Sequence, residues 1–237
     1  MRFTAVRALA YTIVMAAPAI AQPEIPSTGM PRVEISIGAD SMFAGAGRDL
    51  ERTMVRLGLE SASGRNHYPA TYPPSLVPGV FLQVHAGTSA HTMLGVFVGA
   101  DESTTLGRSP NGDSISVRTS VKTRALLASY RPAPWLRFAA GPSVIHRLLD
   151  FGNGQIVGGD TLGILAAADA KFARRPRTLT HPARFGYVTA QYRETPALDV
   201  PWMAVPLGNG PLRVVPWPTQ RVRMSHWAIG LGVGFGI

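Results

Sequence analysis

The strongest constraint on this chain is a side-chain alternation of period two that recurs along most of its length. It is cleanest at the end, where Trp227, Ile229, Leu231, Val233, Phe235 and Ile237 alternate with Ala228, Gly230, Gly232, Gly234 and Gly236. Successive side chains of an extended strand point to opposite faces, so this stretch is predicted to be a strand with one wholly apolar face. The same pattern sets Val33, Ile35, Ile37, Ala39 and Phe43 against Glu34, Ser36, Gly38 and Asp40, and Val80, Leu82 and Val84 against Phe81, Gln83 and His85. It continues through Leu94, Val96, Val98 and Ala100. Ile115, Val117, Val121, Ala125 and Leu127 then oppose Ser116, Arg118, Lys122 and Arg124. Leu136, Phe138 and Val144 face away from Arg137 and Ser143, and Leu162 through Phe172 alternate with Gly163, Asp169 and Lys171. With Val188, Ala190 and Tyr192 against Thr189, Gln191 and Arg193, the segments number eight.

One stretch departs from the pattern. Leu50, Met54 and Leu57 fall at i, i+4 and i+7, with Asp49 near the start and Gly58 after the end. That spacing predicts a short amphipathic helix in the first long connection, packed over one mouth of the sheet structure.

The N-terminus reads as an address. Arg2 and Arg7 precede the apolar run Ala8 to Ile20, and Ala19-Ile20-Ala21 gives the small-x-small cleavage pattern, so residues 1–21 are expected to be a secretory signal peptide and residues 22–237 the exported domain. No later stretch offers the 18 or so uninterrupted apolar residues of a spanning helix. The exported chain is then either a soluble β domain or a transmembrane β-barrel. Only 16% of the residues are charged, against roughly a quarter in ordinary soluble domains, which favours the barrel. Three further features agree. Glycine at every other position of the last segment suits a crowded lumen face. The expected connections on one side are Gly87 to His91, Arg131 to Pro134 and roughly Ala173 to Arg184, and the longer ones on the other are the helical segment through Ser75, Asp101 to Asp113, Leu148 to Asp160 and Glu194 to Met224, the asymmetry of outer-membrane barrels. Trp135, Tyr192 and Trp227 lie near strand ends, where an interfacial aromatic girdle would be.

On these segments, and on Tyr130-Arg131-Pro132, Gly141-Pro142, Gln191-Tyr192-Arg193 and Gly232-Val233-Gly234-Phe235-Gly236-Ile237, the chain resembles the small outer-membrane β-barrel proteins of Gram-negative bacteria. The resemblance implies an all-β, up-and-down antiparallel barrel of about eight strands in the cell outer membrane, with a short helix in its first long loop. It implies outer-membrane lipids, periplasmic chaperones and the barrel assembly machinery as partners. The strand Trp227, Ile229, Leu231, Val233, Phe235 and Ile237 would be the assembly signal, although such strands usually end in an aromatic residue and this one ends in Ile237.

An eight-stranded barrel is just wide enough to be filled by side chains. Strand parity turns Glu34, Asp40 and Asp169 inward together with Arg118, Lys122, Arg124, Arg137, Lys171 and Arg193, and buried charges need partners. The expectation is a salt-bridged lumen plug, with a narrow anion-preferring pore as the competitor. The function expected is structural or surface-interacting and not catalytic. The alternatives are a narrow channel for small solutes, a soluble exported barrel holding an apolar ligand, and a lipid-modifying barrel enzyme.

Catalytic signals are weak: Ser143, His146 and Asp150 lie close in sequence, as do Ser225 and His226. His67, His85, His91 and His181 are scattered without metal-ligand spacing, so no metal or cofactor is expected. Cysteine is absent, which rules out thiolate chemistry. The formal charge of +9, nearly all from arginine, is spread along an exported chain and does not suggest nucleic acid; Arg174, Arg175 and Arg177 make a basic turn. The connection 194–223, with Trp202 and Trp217 among six prolines, is the expected place for a surface ligand.

Overall fold

A computed structural model describes residues 33–61, 79–152, 154–175, 182–208 and 213–237. The expected signal peptide, His67, His181 and Arg177 lie outside these residues. The elements are β1 (Val33–Ala44), α1 (Gly45–Arg56), β2 (Glu60–Ser61), β3 (Gly79–Gly87), β4 (Thr92–Arg108), β5 (Ser114–Ala133), β6 (Leu136–Asp150), β7 (Ile156–Arg175), β8 (Ala183–Glu194), β9 (Leu198–Val200), β10 (Met203–Pro206), β11 (Val214–Trp217), β12 (Gln220–Val222) and β13 (His226–Gly236).

Eight of the strands close on themselves. Each of β1, β3, β4, β5, β6, β7, β8 and β13 pairs antiparallel with its neighbours in that order, and β13 returns to β1 with Ile35 opposite Phe235 and Ile37 opposite Val233. Closure satisfies every strand edge internally, the condition for a sheet to sit in lipid. At the lower end Val33 and Ile237 exchange backbone hydrogen bonds of 3.1 and 2.9 Å, and the tight connections 88–91 and 134–135 lie at the same end. The upper end carries α1 and the four short strands β9 to β12.

The barrel wall is turned inside out relative to a soluble protein. Ile37, Leu82, Leu94, Val96, Val98, Leu126, Leu162, Ile229 and Leu231 are all exposed on its outside, a belt that matches the hydrocarbon layer. At the top of β5 the sense reverses. There Ile115, Val117 and Val121 are buried inside the wall, while Arg118, Lys122 and Arg124 are exposed outside.

The three cations therefore do not join the lumen as strand parity had suggested. The alternation of β5 is continuous, but its apolar face points inward because β4, β5, β6 and β7 rise above the lipid belt as a free-standing wall. β4 and β5 stay paired up to Arg108 opposite Ser114, and β6 and β7 up to Asp150 opposite Ile156. The segments expected as long loops at 101–113 and 148–160 are thus mostly strand, leaving connections at 109–113 and 151–155. Above the membrane the ordinary rule returns, apolar in and polar out.

That upper wall encloses a second core. Leu50 and Met54 of α1 are fully buried against Ile115, Val117, Ile145 and Leu149, together with Leu198, Val205, Trp217 and Val222 from the last connection. The helix sits where the i, i+4 spacing placed it. The β10–β11 and β9–β12 pairs give the described residues of the connection from Glu194 to Met224 strand structure of their own. Trp217 stands edge-on to Phe151 at 5.1 Å.

Candidate functional site in the barrel lumen

Inward-facing polar residues form two ionic clusters separated by an aromatic layer. In the lower cluster Glu34 of β1 accepts hydrogen bonds from Arg131 Nη1 at 2.9 Å, Lys171 Nζ at 2.5 Å and Arg137 Nη1 at 3.1 Å. Arg137 also donates through Nε and Nη2 to Asp169 Oδ2, at 2.8 and 2.5 Å. All five residues are at most 8% exposed. Register explains the meeting: Arg137 lies directly opposite Asp169 on the β6–β7 ladder, while the long side chains of Arg131 and Lys171 cross the lumen to Glu34.

The upper cluster is centred on Arg193 of β8. Its Nη2 donates to Asp40 Oδ2 at 3.1 Å and Gln191 Oε1 at 2.8 Å, and its Nη1 faces the Asp101 carboxylate. His226 lies 4.0 Å from Asp101. The lower cluster sets two carboxylates against three cations, and the upper sets two carboxylates against one guanidinium, so with neutral His226 the two excesses cancel.

Between them lie Phe81, Phe97, Phe185 and Tyr187. Phe81 stacks on Phe97 at 5.8 Å and meets Tyr187 at 6.2 Å, which in turn lies 6.2 Å from Phe185. The layer is clamped by cation–π contacts on both sides, Arg193 at 5.2 Å from the Phe97 ring and Lys171 Nζ at 4.5 Å from that of Phe185. The glycines of β13 make room for the rings: a Cβ on Gly232 would come 2.6 Å from the Tyr187 ring. The alternate glycines thus serve the crowded lumen face that the sequence suggested.

Of the nine residues expected in the lumen, Glu34, Asp40, Arg137, Asp169, Lys171 and Arg193 are gathered there, whereas Arg118, Lys122 and Arg124 are on the outer wall. Two members were missed. Arg131 had been read as a turn residue and Asp101 as the start of a loop, yet Asp101 continues the inward parity of Phe97 and Gly99, and Arg131 that of Leu127 and Ser129. Following the β4 alternation past Ala100 would have found Asp101, whereas Arg131 shares the face of Leu127, which strand parity had turned outward, so its place could be read only once the facing of β5 was known.

Ser143 points inward and is buried while His146 points outward to Asp160 Oδ1 at 2.6 Å, so the two occupy opposite faces of β6. Ser225 exchanges hydrogen bonds with the Thr195 backbone. Ser129 Oγ and His85 Nδ1 do meet, at 2.9 Å, with Gln83 Oε1 3.2 Å from the other ring nitrogen. Serine and histidine are 5% and 0% exposed, and an amide rather than a carboxylate backs the ring, so the pair reads as a satisfied lumen contact. Among the described residues no three His, Asp or Glu groups are placed to hold a metal ion.

No family model and no curated protein sequence matches the chain. Among solved structures it is similar to the outer membrane protein OprG from Pseudomonas aeruginosa, with a TM-score of 0.52 at 10% identity, over 90% of this chain and 99% of that one. Weaker likenesses are to Ail, the attachment invasion locus protein of Yersinia pestis, in complex with the heparin analogue sucrose octasulfate (TM-score 0.40, 11% identity, 86% and 97% covered), and to the outer membrane protein AlkL in lipid bilayers (0.39, 11%, 91% and 94%). The chain has the fold of an eight-stranded outer-membrane β-barrel.

Proposed function

We propose that the protein is a closed, non-catalytic outer-membrane barrel whose role is to hold an ordered surface platform above the lipid, rather than to pass solutes. The observation that carries this reading is the lower ionic cluster, in which one carboxylate, Glu34, receives three cations drawn from β5, β6 and β7. Charges taken this far from water are costly unless every partner stays in place, so the lumen favours one packed arrangement over an open one. The platform follows from the upper core, which ties α1 and the β9 to β12 strands to the barrel wall and leaves Trp202 and Val214 exposed. Those exposed apolar groups on the connection 194–223 are where a surface ligand would be sought.

The test is electrical. Purified protein, shown to be folded by heat-modifiable migration, is expected to give no unit conductance steps in a planar bilayer at neutral pH. Regular steps from the unaltered protein would replace this reading with that of a narrow channel.

A further inference from the structure

The three cations displaced from the lumen differ in their surroundings. Arg118 is held by Glu102, through Nη2 at 2.5 Å and Nε at 3.1 Å. Lys122 and Arg124 have no carboxylate partner among the described residues. On the outer wall Lys122 stands between Ala100 and His146, and Arg124 between Val98 and Val144, and His146 is itself taken up by Asp160. The two cations are two residues apart on one face of one strand, about 6.6 Å along it. They lie just where the outer face of β5 changes from Leu126 to charge, which is the upper rim of the apolar belt.

Each cation interrupts an outer-wall row after three apolar members on β1, β3 and β4, and beyond Arg124 the apolar wall resumes at Val144. One row runs Ala39, Val80, Ala100, Lys122 and the other Ile37, Leu82, Val98, Arg124. A groove of about 310 Å³ lies over these rows, floored by Ile37, Val80, Leu82 and Val98 and bounded by the two cations. A groove that is apolar along its length and doubly positive at its upper edge matches one kind of molecule, an amphiphile with acyl chains and an anionic head. Phosphate answers two adjacent cations better than a zwitterionic head, because it carries net charge and several acceptor oxygens and can bridge both.

We propose that this face of the barrel binds a lipid whose head carries a phosphomonoester, and with it net negative charge, its acyl chain along the groove and that phosphate between Lys122 and Arg124. The site rests on the membrane-embedded reading given above, but not on the lumen's being closed.

The full chain is folded into phosphatidylcholine vesicles containing a minor fraction of diphosphorylated lipid A, and in parallel vesicles containing the same lipid A stripped of phosphate. Lipid retained through detergent extraction is counted by native mass spectrometry. The phosphorylated form is expected to stay bound, and the K122Q/R124Q double variant to hold it roughly tenfold to thirtyfold less well. R118Q, which disturbs a cation already paired, serves as the control and should retain the lipid as the unaltered protein does. Excess inorganic phosphate should leave retention unchanged, since the groove contributes through the acyl chain; displacement by phosphate would overturn the lipid in favour of a bare anion site. Equal retention of both lipid A forms, or an unaffected double variant, would overturn the site alone. Failure of the chain to fold into either vesicle would overturn the embedded reading with it.

Discussion

At the scale of single residues, the lumen turns on Glu34, since its two oxygens accept from Arg131, Lys171 and Arg137. Removing one partner of a buried ionic group leaves the others uncompensated, at a cost of about 3–5 kcal/mol. Glu34→Ala is therefore expected to lower thermal stability in detergent by an amount of that order, read as an earlier loss of the heat-resistant gel form. Because the cluster is buried, added salt should not reproduce the effect. A loss below about 1 kcal/mol, the range of exposed ion pairs, would show that the cluster is wet. Gly232 tests the layer above: a methyl there would press on the Ile37 carbonyl of the neighbouring strand and on the Tyr187 ring, and Gly232→Ala is expected to cost about 1–3 kcal/mol as overpacking, whereas Gly58→Ala, with positive φ but open space around it, would be strained only in its backbone.

Among the elements, β5 and β13 contrast most. β13 keeps one apolar face outward from Trp227 to Ile237, so it lies within the lipid belt along its length. Leu231→Arg, at its middle, is expected to weaken folding into vesicles by about 2–4 kcal/mol, while a charge already tolerated at the level of Arg118 costs little; denaturant titration of the vesicle-folded protein measures both. β5 shows where sequence reading stops. Its alternation over Ile115 to Leu127 was legible and fixed it as a strand, but a period of two says only that two faces differ. Which face meets the lumen depends on whether lipid or water lies outside at that height, and this is set by how far β4, β6 and β7 extend beside it. The helix was legible because the spacing of Leu50 and Met54 has a single reading. Its anchor was not, since Asp49 meets Arg223 only through the tertiary fold, at 3.0 Å from Oδ1 to Nη2. Burial would raise the carboxyl of Asp49, but the hydrogen bonds from Arg223 and the charge of Arg52 outweigh it and hold it below the ordinary 3.8. A depressed folded value means that the anchor is fully present above the ordinary aspartate range and is lost as pH falls through the folded one. Hydrogen exchange in α1 is accordingly expected to be flat from pH 7 to 5 after correction for intrinsic rates, and to accelerate below about pH 4. Asp49→Asn should exchange faster at neutral pH and lose the acid step; an unaltered acid step in that variant would assign it to another group.

For the whole molecule, the order of the layers matters more than the strength of any one. A solute passing down the barrel meets the core under α1, then the Arg193 cluster, the aromatic layer and the Glu34 cluster, and a path in series is as closed as its tightest section. The layers also brace one another, because Arg193 caps Phe97 and Lys171 caps Phe185, so a lesion in one lowers the stability of the whole before it opens anything. Arg193→Ala leaves Asp40 and Asp101 buried without their cation, and should cost about 3–5 kcal/mol, yet the folded fraction is expected to remain silent in a planar bilayer, as Glu34→Ala should. Combining the two removes both ionic closures while keeping the rings and the upper core, so by the same argument the folded double variant is expected to stay silent as well. Recordings on samples whose folded band has first been verified check the series argument directly. Conductance steps from either single variant would mean that one cluster alone is the gate, and that the barrel stands a single side chain from being a channel.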